Sequence, residues 1–142
     1  MSSAWYDPEF IVFALITGYT LGVIFETPVL LAGLSSCHSF KTRLQAGFLL
    51  TACTYPFVVI VMPRLINPDL HGVLFRAVTE TLVPIAECAV FWLVFHHGLR
   101  AREIGAAAVS RAVIMRDFAV IIAANLFSFG MGEVISNYVG KL

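Results

Sequence analysis

Four carboxyl side chains lie inside long apolar runs of this chain, and they are the residues best placed to do chemistry: Glu26, Glu80, Glu87 and Glu133. A charged side chain near a bilayer centre costs about 3 kcal/mol unless it is paired, hydrated or protonated. Ionisable groups inside transmembrane segments typically mark ion pathways or proton relays. We therefore interpret these glutamates as candidate ligands for protons or a small cation.

The surrounding composition is that of a polytopic membrane protein. Of 142 residues, 59% are hydrophobic and 13% are charged, so spans of about 20 residues consume most of the chain. Apolar runs at about 10–34, 46–66, 73–95 and 112–139 predict four transmembrane helices. Short connections favour an antiparallel four-helix bundle formed by a single domain over residues 1–142. Lys and Arg balance Asp and Glu at 9 each, which gives no electrostatic reason to expect a nucleic-acid partner.

The distribution of basic residues predicts the orientation. Six of the nine Lys and Arg fall on one side of the predicted bundle: Lys41, Arg43, Arg100, Arg102, Arg111 and Arg116. The other side holds Arg64, Arg76 and Lys141. The positive-inside rule then places the loops 35–45 and 96–111 in the cytoplasm and both termini on the non-cytoplasmic side. We expect an integral protein of the prokaryotic inner (cytoplasmic) membrane, whose acidic, aromatic N-terminus is not a cleavable signal.

Counting residues from the helix ends predicts two polar layers. Glu26 and Glu87 lie roughly 12–14 Å from the cytoplasmic ends of their helices, near the midplane. Thr54, Tyr55 and Asn125 reach about the same depth. The remaining candidates, Glu80 and Glu133, lie further outward. The complete predicted binding site comprises Glu87, Glu26, Tyr55, Asn125, Glu80, Glu133, Thr54 and Ser128, with Glu87 as the central ligand and Tyr55 and Asn125 as orienting groups. We expect the pocket to open outward and to be closed inward, where Thr51 is one of few polar residues.

Each glutamate also has a structural interpretation. Glu26 and Glu87 could be protonated carboxyls that hold helices together by hydrogen bonds. Glu80 could complement the positive end of the third helix. Glu133 could form an ion pair with Arg64 or Arg76. The polar residues Asn125 and Ser128 are commonly helix contacts rather than ligands.

Small residues repeat at every fourth position in two helices. The first predicted helix carries Ala14, Gly18 and Gly22, and the fourth carries Ala124, Ser128, Gly132, Ser136 and Gly140. Such stripes allow helices to approach closely in lipid. We expect one stripe to close the bundle and the other to face a second copy or a partner.

Catalytic and cofactor signatures are weak in this sequence. No His follows any of the four glutamates at i+3, as a di-iron bundle requires, and no hydrolase, zinc-protease or phosphate-loop motif is present. Cys37-His38 and His96-His97 could bind a soft metal transiently, although interfacial histidines are the more common case. We expect no cofactor, and the missing motifs favour a protein without enzyme activity.

Two functional hypotheses remain. The first is a small transport protein, homo-oligomeric, with a midplane carboxylate site for protons or a small cation. The second is a non-catalytic accessory or assembly subunit that docks into a larger membrane complex through its small-residue stripes.

Overall fold

The computed structural model describes residues 4–98 and 110–139, and this part of the chain is helical, with no strand. After a short 3₁₀ turn, Ala4–Tyr6, the helices are α1 (Pro8–Gly33), α2 (Phe40–Leu65), α3 (Pro68–Phe91) and α4 (Arg111–Val139). Within the described ranges four helical spans of 26 to 28 residues are long and apolar enough to cross a bilayer: Pro8–Gly33, Phe40–Leu65, Pro68–Phe95 and Arg111–Tyr138. The chain is therefore an all-helical membrane protein. Arg100, Arg102, Gly140 and Lys141 lie outside the described residues.

Polar caps make two helices start earlier than their apolar runs. The Ser39 side chain accepts a hydrogen bond from the Thr42 N–H, so α2 begins at Phe40 rather than near residue 46. Asn67 accepts from the Asp69 N–H, with Pro68 in the first turn, so α3 begins five residues before position 73. A kink at His71, whose φ of −132° and ψ of 43° are not helical, separates this capped turn from the rest of α3. Such caps satisfy N–H groups that lack a partner within the helix. The length of an apolar run gives the part of a helix that lies in hydrocarbon, whereas the capping residues determine where the helix begins.

The second helix changes geometry after its internal proline. Its α-helical part, Phe40–Pro56, is followed by a π-helical turn, Phe57–Val61, and a final turn, Met62–Leu65. Proline lacks an N–H and cannot continue the regular hydrogen-bond ladder, and π-helical turns commonly accommodate such an interruption. The N–H of Met62 accordingly donates to the carbonyl of Phe57, five residues earlier.

The stripe of small residues on α1 is a helix contact. A Cβ atom added to Gly18 would overlap the Tyr55 ring, and one added to Gly22 would lie 2.7 Å from Cγ2 of Thr51. Both neighbours belong to α2, so the glycines allow α1 and α2 to approach closely. The backbone of α1 approaches those of α2 and α4 closely over much of its length, whereas the backbone of α3 approaches α2 and α4 at fewer positions.

The stripe on α4 is not a continuous contact. Ala124 is buried, but Ser136 is exposed, and a Cβ at Gly132 would meet no atom within 4 Å. Within the described chain, Gly132 therefore does not mediate a helix contact.

An apolar plug fills the half of the bundle next to Ser35. We use this name for the cluster Leu30, Leu34, Ala46, Leu50, Cys88, Phe91, Phe95, Ile121 and Ala124. Its members come from all four helices, from the residue that follows α1, and from the π-helical segment Trp92–Gly98 that continues α3. The other half of the bundle contains the polar side chains.

Candidate functional site: a carboxyl-lined cavity

A cavity of about 280 Å³ lies between the helices, on the side of the apolar plug away from Ser35. α1, α2, α3 and α4 all contribute to its wall. The wall includes every residue of the site predicted from the sequence: Glu87, Glu26, Tyr55, Asn125, Glu80, Glu133, Thr54 and Ser128. The exposed Gly132 and Phe129 also line it, so the cavity reaches the surface beside α4.

Glu87 is the most deeply buried carboxyl on this wall, with 2% of its surface exposed. Its Oε1 accepts a hydrogen bond from the Thr54 hydroxyl at 3.0 Å, and its Oε2 accepts one from Asn125 Nδ2 at 2.6 Å. The second hydrogen of the Asn125 amide goes to the carbonyl of Ile121 at 3.0 Å. Glu87 is thus held from two neighbouring helices at once.

Glu26 is held in the same manner from the opposite side of the site. The Thr51 hydroxyl of α2 donates to Glu26 Oε2 at 2.9 Å, and the Ser128 side chain of α4 interacts with the same carboxyl. Tyr55, expected to orient the carboxyls, instead packs its ring against Gly18. Thr51, which the sequence places in the inner half, supplies the hydrogen bond that orients Glu26.

The two inner carboxyls therefore share one pattern of support. α2 supplies Thr51 to Glu26 and, three residues later, Thr54 to Glu87. α4 supplies Asn125 to Glu87 and, three residues later, Ser128 to Glu26. Residues three apart share a helix face, so one face of α2 and one face of α4 each serve both glutamates. The carboxyls of Glu26 and Glu87 interact electrostatically with each other.

The threonine contacts are compatible with either charge state of these carboxyls. Each hydroxyl reaches a second acceptor, since Thr51 lies 3.0 Å from the carbonyl of Gly47 and Thr54 lies 3.0 Å from that of Leu50. An ionised carboxylate can accept the hydroxyl hydrogen. A protonated carboxyl can instead donate to the hydroxyl oxygen while the hydroxyl donates to its carbonyl. Gain or loss of a proton thus leaves both contacts in place.

The outer layer contains Glu80 and Glu133. Arg76 Nη1 lies 2.9 Å from Oε1 of Glu133, and the two side chains are 64% and 38% exposed. This is the ion pair that the sequence offered as one alternative, and an exposed pair of this kind stabilises little. The interpretation of Glu80 as a helix-end charge is wrong, because even counted from the kink at His71 Glu80 lies about two turns inside the helix, beyond the reach of the end effect.

Thr79 lines the cavity and was missed in the sequence. It is 8% exposed, and its hydroxyl oxygen has no hydrogen-bond partner among the described residues. Its neighbour Thr81 behaves ordinarily by donating to the carbonyl of Ala77 at 2.8 Å. A threonine in an apolar helix gives no sequence signal that separates these two cases.

A second polar centre closes the end of the bundle beside Ser35. Asp117 of α4 has no exposed surface; its Oδ1 accepts from the Ser35 N–H at 2.8 Å and its Oδ2 lies 2.8 Å from His38 Nε2. Arg43 donates to the carbonyls of Leu31, Ser35 and His38. Asp117 was missed in the sequence, where it directly follows Arg116 near the predicted start of the fourth helix. Only its partner on the distant loop reveals its role.

The histidine and cysteine pairs do not converge on a metal site in the described part of the chain. His38 is engaged by Asp117 and packs edge-on against Phe91, whereas Cys37 is exposed. The side chains of His96 and His97 lie outside the described residues. Among those that are described, no group of three or more His, Cys, Asp or Glu side chains is placed to hold a metal ion.

Fold and cavity together define an all-helical integral membrane protein with buried carboxyls inside its bundle. Comparison of the chain with protein-family models, with curated proteins and with solved structures finds no match.

Proposed function

We propose that this protein transports protons or a small cation through the carboxyl-lined cavity, with Glu87 as the central ligand and Glu26 as its partner. The observation that carries the proposal is the position of these two carboxyls. They lie at the inner end of a cavity that reaches the surface, directly against the apolar plug. A polar half-pathway that ends on a buried ionisable pair is an arrangement suited to alternating access.

The proposal includes an arrangement in the membrane. The helices run antiparallel, both termini lie on the non-cytoplasmic side, and the protein resides in a prokaryotic inner membrane as a homo-oligomer. The cavity then faces outward and the apolar plug faces the cytoplasm. The Lys and Arg distribution supports this orientation.

Glu87→Gln tests the transport function directly. Glutamine keeps the size of the side chain and can still bond to Thr54 and Asn125, but it cannot ionise. We expect loss of proton or cation flux in proteoliposomes, because the central ligand no longer exchanges a proton. Glu80→Gln should reduce the flux without abolishing it, since Glu80 belongs to the outer layer.

The matched control is Glu9→Gln, the same substitution at an exposed position in the first turn of α1. It should transport like the wild-type protein, and all three variants should elute like it in size-exclusion chromatography. Normal flux in Glu87→Gln, or no flux in the wild-type protein under a pH gradient or with common cations, contradicts the transport proposal.

A second function, that of an accessory subunit, is favoured by the open glycines of α4. Gly130 and Gly132 would accept a Cβ without meeting any described atom within 4 Å, and Gly132 borders the cavity. A partner helix could therefore approach α4 closely there. Isolation from native membranes in mild detergent separates the two functions, because a subunit co-purifies with a stoichiometric partner and a self-sufficient transporter with copies of itself.

A further inference from the structure

We propose that the ligand of the cavity is a small organic cation that carries N–H donors, an alkylammonium or guanidinium ion. This inference rests on the proposed function and specifies the substrate class of the same site.

The charge of the cavity favours a cation. The wall carries the carboxyls of Glu26, Glu80, Glu87 and Glu133, and no Lys, Arg or His lines it among the residues described. Arg76 pairs with Glu133 at the exposed rim and also attracts Glu80, so the uncompensated carboxyls are those of the inner pair, Glu26 and Glu87. Burying carboxylates without a counter-charge is unfavourable, so a monocation that enters stabilises the ionised form of the inner pair.

The hydrogen-bonding groups of the wall favour a ligand with several donors. Each oxygen of Glu87 accepts one bond from the protein and retains a second lone pair. Thr79 contributes a buried hydroxyl oxygen without a partner in the described structure. Leaving such a group unsatisfied costs about 1–3 kcal/mol. An ammonium group with three N–H donors, or a planar guanidinium with more, can satisfy the carboxyls. The Thr79 oxygen has almost no accessible surface in this structure, so it joins them only when a ligand enters and its side chain rotates about χ1 towards the cavity that Thr79 lines.

The size and the aromatic residues of the cavity favour an organic ion. A buried cavity of about 150 Å³ is sufficient for benzene, and this one measures about 280 Å³. Phe25, Tyr55 and Phe129 contribute ring surfaces to the wall, against which the face of a guanidinium or the alkyl part of an amine can pack.

A bare metal ion fits the same wall poorly. Calcium prefers six to eight oxygen ligands, whereas the described carboxyls do not cluster in groups of three or more around one point.

The experiment is calorimetric titration of the detergent-purified wild-type protein with chlorides of guanidinium, methylammonium, tetramethylammonium, sodium and potassium at constant ionic strength. We expect guanidinium and methylammonium to bind and to compete with each other. Thr79→Val, which keeps the shape but removes the hydroxyl, should weaken both about tenfold, the effect of losing one hydrogen bond to a charged group. Thr79→Ser should restore binding.

The matched control is Thr81→Val, on the same helix but with an exposed side chain that bonds to Ala77; it should bind like the wild-type protein. If Thr79→Val is not monodisperse, Thr79→Ala and Thr81→Ala make the same comparison. Equal binding of tetramethylammonium, sodium or potassium, no heat from guanidinium and methylammonium, or no difference between the Thr79 and Thr81 variants overturns the inference.

The result of this binding experiment can be distinguished from the result of the flux experiment that tests the proposed function. Glu87-dependent proton flux without binding of guanidinium or methylammonium refutes the organic-cation inference and leaves the transport proposal standing. Specific binding without any flux supports a cation site and refutes transport.

Discussion

At the scale of single residues, the site depends on side chains that reach two partners. Thr51 and Thr54 each contact a carboxyl of the cavity and a carbonyl of their own helix. Asn125 does the same with its two amide hydrogens. These residues fix the rotamers of Glu26 and Glu87 without supplying a fixed positive charge. The inner carboxyls can therefore be held in place while remaining able to exchange a proton or bind a cation.

The glycines provide a stability prediction at this scale. Gly47→Ala places a Cβ 2.9 Å from Cβ of Thr27, a buried β-branched residue with little freedom to move. Overpacking of this kind costs about 1–3 kcal/mol, more than the roughly 0.5–1 kcal/mol that alanine contributes in a helix relative to glycine. We expect a lower midpoint of thermal unfolding in detergent.

Gly130→Ala is the matched control, because a Cβ there meets no described atom within 4 Å. Its unfolding midpoint should equal or slightly exceed that of the wild-type protein. If both alanine variants unfold at the same temperature, the close packing of α1 on α2 at Gly47 does not contribute to stability.

At the scale of elements, Asp117 of α4 binds the segment that connects α1 to α2. Its carboxyl contacts both Ser35 and His38 across about eighty residues of sequence. Arg43 completes this end of the bundle by donating to three carbonyls at and after the end of α1, which lack partners within the helix. The cap lies next to the apolar plug and keeps its helices together.

Asp117→Ala tests this cap. It removes the acceptor of two buried hydrogen bonds, and each buried donor left unpaired costs about 1–3 kcal/mol. We expect a marked drop in the unfolding midpoint, with a smaller drop for Asp117→Asn, which retains one acceptor oxygen. Asp69→Asn, at the exposed start of α3, should unfold like the wild-type protein. Wild-type stability of Asp117→Ala would show that the cap is dispensable.

At the scale of the whole molecule, the proposed orientation is open to labelling. Cys37 is exposed on the α1–α2 connection, so a Cys53→Ala/Cys88→Ala protein reports on that end alone. We expect an impermeant maleimide to leave it unlabelled in intact cells and to label it in inverted vesicles. A cysteine at Asp69 in a background without native cysteines, at the opposite end of the bundle, should label from outside. The reverse pattern contradicts the proposed topology.

The sequence predicted the parts of this molecule that depend on composition and depth. Apolar runs located the spans, and residue counts from their ends placed Glu26, Glu87 and Asn125 in one layer, which the cavity contains. Side-chain partners were predictable in this way only in part: Thr54 and Asn125, placed at the depth of Glu87, are its hydrogen-bond partners, whereas other contacts were missed. Thr51 and Thr79 differ from other helical threonines only through their neighbours in space, and the role of Asp117 depends on a loop far away in sequence.

The uneven packing of the bundle has a mechanical consequence. The backbone of α1 approaches those of α2 and α4 over much of its length, whereas that of α3 approaches its neighbours at fewer positions. Thr79, Glu80 and Glu87 all belong to α3, so this one helix carries side chains of both polar layers. A tilt of α3 about its contacts with α2 and α4 would move Glu80 of the outer layer and Glu87 of the inner layer together, whereas Glu133 and Glu26 would stay with α4 and α1.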